Sequence, residues 1–66
     1  MDLAEIKRCV AEIEAQKKND EAAHILEDKL RAKFIQFVAE VGPPELAEMA
    51  SEVLTTATIA FGRWYS

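Results

Sequence analysis

The chain holds a single cysteine, a single histidine, two glycines and two prolines. One thiol cannot make an intramolecular disulfide, and a lone apolar-flanked cysteine fits a reducing compartment. Two glycines are too few for a loop that cradles a phosphate through successive backbone N–H groups. With one imidazole, a nucleophilic Cys–His pair would have to join Cys9 to His24 across a predicted turn, and no Ser/His/Asp set of recognisable context is present. No apolar run approaches the ~20 residues that span a bilayer. The opening MDLAEIKRCVAEIEAQKK is charged and amphipathic where a secretory signal would be continuously apolar. Basic charge is also scarce. Twelve acidic against eight basic side chains leave a formal charge of −4, with residues 1–18 neutral and the deficit falling on the rest. Without a basic face to neutralise phosphates, direct nucleic-acid binding is disfavoured. The expectation is a soluble cytoplasmic protein with no membrane contact, no cofactor and no catalytic set.

What is present is apolar. Half of the 66 residues are hydrophobic, yet a chain this short buries only about 60% of the surface that its unfolded form exposes. The core is therefore marginal, and with disulfides excluded oligomerisation is the remaining source of stability. Ile25 and Ile35 fall on faces that a simple helical hairpin leaves wet, so both are candidate contacts for a partner or a second copy.

The apolar residues recur with helical spacing. Leu3, Ile6, Val10 and Ile13 form a stripe within residues 2–18, Cys9 flanks it, and Asp2 can cap the start. Glu14 lies three before Lys17, a pair worth a few tenths of a kcal/mol. The second stripe, Ala23, Leu26, Leu30, Phe34, Phe37 and Val41, would lie opposite the first if the helix ran on unbroken, at about 100° per residue. A turn at Lys18-Asn19-Asp20 removes the conflict, with Asn19 tolerating a left-handed conformation and Asp20 capping the new helix. Small Ala22 and Ala23 then permit close approach of the first helix. The second helix spans about 20–41 and ends at Gly42-Pro43-Pro44, where glycine caps and proline forbids continuation. A third follows over about 44–56, opened by Pro44, with Leu46, Met49, Ala50, Val53 and Leu54 on one side. The threonines at 55, 56 and 58 favour a break, and the end of the chain is a turn, a short helix or an extended tail. The predicted fold is thus all-α and a single domain over residues 1–66: an αα-hairpin of residues 2–18 and 20–41, a short third helix and a C-terminal turn or short helix.

Three features carry potential chemistry. Glu21 and His24 have the Glu-x-x-His spacing of dinuclear carboxylate metal sites, but measured from Leu30 both point away from the hairpin core, so a metal would need ligands from another subunit. The same His24 has Asp20, Glu27 and Asp28 within a turn, which favours the imidazolium and makes a pH switch an alternative to a plain surface histidine. Cys9 borders the apolar stripe and reads as an inert packed thiol. The terminal Phe61-Gly62-Arg63-Trp64-Tyr65-Ser66 brings together the residue types that dominate binding hot spots. Phe61, Arg63, Trp64 and Tyr65 either close the core over the third helix or meet a partner.

Two stretches, DEAAHILEDKL (20–30) with FIQFVAE (34–40), and VLTTATIAFGRW (53–64), resemble a group of short phage and prophage open reading frames. Their shared marks are an acidic-Ala-Ala-His segment, a Glu-Asp pair and a terminal Phe-x-Arg-Trp. The likeness covers about half of the chain and departs from the group at Ala60 and in the Tyr65-Ser66 ending. It implies a phage context, a bacterial host cell as the location, and a host or phage protein as partner. It brings no active site. The expectation is a non-enzymatic, self-associating protein that docks on another protein, with a metal site at Glu21 and His24 shared between subunits as the competing reading.

Overall fold

The computed structural model describes residues 1–61. The described chain is helical, in the order α1 (Leu3–Ala15), α2 (Asp20–Val41), α3 (Pro44–Leu54) and a 3₁₀ turn (Thr55–Thr58). The fold class is that expected: a helical hairpin followed by a short third helix.

Local hydrogen bonds account for each boundary. Asp2 is extended, with φ −125° and ψ 176°, and its Oδ1 accepts the Glu5 N–H at 2.8 Å, which satisfies one of the orphan donors of the first turn. α1 stops at Ala15, three residues earlier than the stripe suggested. The Gln16 N–H donates to the carbonyls of Glu12 and Ile13 at 3.1 and 3.0 Å, and the Lys17 N–H to that of Glu14 at 3.3 Å. This tightening into shorter-range bonds ends the helix. Asn19 does not take the left-handed conformation expected of it. Its φ is −110° and its Oδ1 accepts the Ala22 N–H at 3.1 Å, so Asn19 is the cap and Asp20 the first helical residue. No residue with positive φ is needed, because residues 16–19 give the reversal enough length.

Gly42 ends α2, its N–H donating to the Val38 carbonyl at 2.8 Å. Its φ of −74° is open to any residue, so glycine is required here by space and not by handedness. A Cβ at this position would stand 2.6 Å from the Val38 oxygen and 3.2 Å from Val38 Cγ1. Pro43 and Pro44 follow, and α3 begins on Pro44, where a missing N–H costs nothing. After Leu54 the threonine run bends the chain: Thr55 Oγ1 donates to the Glu52 carbonyl at 2.6 Å and Thr58 Oγ1 to that of Thr55 at 2.7 Å. Such back-bonding competes with continued α-helix.

α1 runs antiparallel along the N-terminal half of α2, with Ile6 beside Leu30 and Phe34, Cys9 beside Leu26 and Leu30, and Ile13 beside Ala23. α3 folds back on the C-terminal half of α2 and lies against it more closely than α1 does. The Cα trace measures 39 × 33 × 9 Å. Two stacked helix layers would need axes about 8–10 Å apart on top of the width of the helices themselves, so the thin direction holds one layer only. Among the described residues Ala50 alone is buried.

Two substitutions test these boundaries by thermal melting followed by circular dichroism. Gly42→Ala forces a shift at Val38 and is expected to cost about 1–3 kcal/mol, lowering Tm by several degrees. Asn19→Ala is expected to cost about 1 kcal/mol through loss of the cap. Lys17→Ala, which removes only the exposed 2.7 Å pair with Glu14, should stay within about 0.5 kcal/mol of the parent. Equal effects for all three would overturn this account of the helix ends.

Candidate interaction surface

A single layer has two sides, and here they differ. On one side, a trough lined by Ile6, Leu30, Arg31, Phe34 and Ile35 opens between α1 and α2, with a volume of about 520 Å³. It meets a second trough of about 360 Å³ between α2 and α3, lined by Phe34, Ile35, Val38, Leu46, Met49, Ala50 and Val53. Phe34 and Ile35 belong to both, so the two form one apolar tract that crosses the middle helix. Leu3 and Val10 extend it, standing one turn to either side of Ile6 on the same face of α1. Phe34, Leu46, Met49 and Val53 are 46–56% exposed, which is high for residues of an apolar stripe. Among the described residues the only ionisable side chain in the lining is Arg31, whose Nη2 lies 3.3 Å from Glu27 Oε2 one turn earlier.

The opposite side is polar. Lys29, Lys33, Gln36 and Glu40 lie there, about 120–180° round α2 from the Phe34–Val38 ridge, and Gln36 Nε2 donates to Glu40 Oε1 at 3.3 Å. Cys9 opens toward this side, in a shallow depression with Leu26, Lys29 and Lys33. It is half-buried and reduced.

The predicted contact residues separate. Ile35 is half-buried at the centre of the tract. Ile25 is 40% exposed but points about 180° away from Phe34 and is not part of it. Phe61 is 58% exposed, just past the 3₁₀ turn. Arg63, Trp64 and Tyr65 lie outside the described residues. Apart from Arg31, Ile35 and Val38, the tract consists of residues that sequence periodicity assigns to a core. The signal that they are surface is quantitative: five apolar positions on an 11-residue α3 and a full stripe on α1 exceed what the single central helix can cover.

His24 also differs from its expected place. It does not face away from the hairpin. It is half-buried and shares a small depression at the α1–α2 groove with Ile13, Asp20, Ala23 and Glu27, at the charged end of the apolar side. α1 seats on α2 through its Cys9 edge, which brings the groove round to the imidazole. Glu21 is exposed and lines no depression with it. Among the described residues no three His, Cys, Asp or Glu side chains converge as a metal site requires. No described helix is long and apolar enough to cross a membrane.

Comparison of the chain with protein-family models, with curated proteins and with solved structures returns no match.

Protein purified without a histidine tag is expected to carry iron, manganese or zinc far below one ion per chain by elemental analysis, unchanged in His24→Ala. Stoichiometric metal lost in that variant would restore the Glu21–His24 site, completed from another subunit.

Proposed function

We propose that this is a small non-enzymatic protein of phage type that self-associates and acts by docking on another protein in the bacterial cytoplasm. One observation carries the reading: the apolar tract on a layer one helix thick, a patch of the kind that marks interaction surfaces on proteins otherwise rich in charge. Among the described residues no three potential metal ligands converge, Arg31 is paired with Glu27, and Cys9 shares its depression with Glu12, Leu26, Lys29, Leu30 and Lys33; a docking role needs none of these groups as a catalyst. The partner in this reading is a host or defence protein, and the action is steric occlusion of its surface. The acidic face of α3, with Glu45, Glu48 and Glu52, would suit a basic partner. The terminal Phe61, Arg63, Trp64 and Tyr65 supply the hot-spot chemistry for that contact.

Sedimentation equilibrium together with affinity purification from a bacterial lysate tests this. The expected outcome is a species heavier than the 7.4 kDa chain and a retained host or phage protein. Truncating a central interface tryptophan typically costs 2 kcal/mol or more, so Trp64→Ala should weaken retention by tenfold or more. A strictly monomeric protein at high micromolar concentration that retains nothing would leave the reading without support.

A further inference from the structure

We propose that the occupant of the apolar tract is a second copy of this chain, packed face to face about a two-fold axis that passes by Phe34 and Ile35. This rests on the self-associating reading above and names the surface that performs it.

Area argues for a large occupant. A folded monomer of 7.4 kDa exposes about 4,200 Å², and this chain exposes 5462 Å². The surplus, about 1,200 Å², exceeds the roughly 800 Å² that each partner contributes to a stable interface of ordinary size. A second layer of helices is large enough to cover it, and a domain with one layer is short of the two that stable architectures use.

Charge argues for a copy of the same surface. The chain carries −4 overall, so two copies meeting through most of their surface would repel. The tract is the exception, since among the described residues its one ionisable group, Arg31, is already paired with Glu27 at 3.3 Å. Two such faces meet without confronting like charges, and the acidic residues stay outside in water. Position supplies the axis. Phe34 and Ile35 sit where the two troughs join on the middle helix, and in an isologous contact the residues at the centre face their own copies.

Cysteine cross-linking tests the arrangement in the full chain, in a Cys9→Ser background. Phe34→Cys stands at the proposed axis, and Gln36→Cys stands on the polar side as the control. Under mild oxidation Phe34→Cys is expected to convert most of the protein to a disulfide-linked dimer, with Gln36→Cys and the native Cys9 protein remaining at the uncross-linked mass in denaturing gels. Met49→Glu is added in the unmodified background, where sedimentation should show at least a tenfold weaker dimer. A helical spectrum is checked for every variant, and because the cross-link needs no loss of apolar contacts on α3, a failure of Met49→Glu to fold leaves the test intact. A dimer that cross-links through Gln36→Cys or Cys9 and not through Phe34→Cys would overturn the face assignment while the self-associating reading stood. A monomer at high micromolar concentration would overturn both.

Discussion

A row of helices laid side by side leaves each one with two flanks to bury and two faces open to water. The three helices described here are amphipathic, and each needs more cover than one neighbour can give. α2 is flanked by α1 along its first half and by α3 along its second, so only the middle helix is contacted from two sides. The consequence is visible in Ala50, the one buried residue among those described, which lies where α3 meets α2. The width of the apolar tract and the exposure of Met49 and Val53 follow from the same arrangement.

The parts of this structure that depend on near neighbours are written in the sequence. Asp2 three before Glu5, Asn19 three before Ala22, and Gly-Pro-Pro after Val41 each act within one helical turn, so their effects do not wait on tertiary packing. The threonines after Leu54 are read the same way, through bonds to carbonyls three residues back. Even so, the reversal between α1 and α2 uses Asn19 as a cap where a left-handed turn residue seemed to be called for. Its side chain serves both roles, and only the length of the connection chooses between them.

What was not legible is the phase in which one helix seats on another. The stripe of Leu3, Ile6, Val10 and Ile13 is a property of α1 alone, but which edge of it meets α2 depends on the shape of both surfaces. α1 rolls toward Cys9, half-burying Ile6 and Ile13 and leaving Leu3 65% and Val10 53% exposed. His24, about 120° round α2 from Leu30, nevertheless lies at the margin of the groove, beside Ile13 of α1. A candidate ligand or switch residue on a helix is therefore the kind of assignment that periodicity supports least. Ile25 and Ile35 make the same point in another way: both looked surplus to the hairpin, yet ten residues of helix rotate them about 80° apart, and only Ile35 joins the tract.

Stability and assembly are then one problem. Ordering a residue's backbone costs about 1–2 kcal/mol, and in this chain the offsetting burial is spread over half-covered side chains. Helices of 11 and 13 residues are marginal by themselves in water, so α1 and α3 depend on their contact with α2. If another chain covers the open side, the folded population depends on concentration as mass action requires, and the layer behaves as half of a domain. The acidic residues fit that role. In the proposed dimer the −4 charge would oppose registers that bring acidic residues of two copies together, which favours contact through the apolar tract, where Arg31 is paired with Glu27.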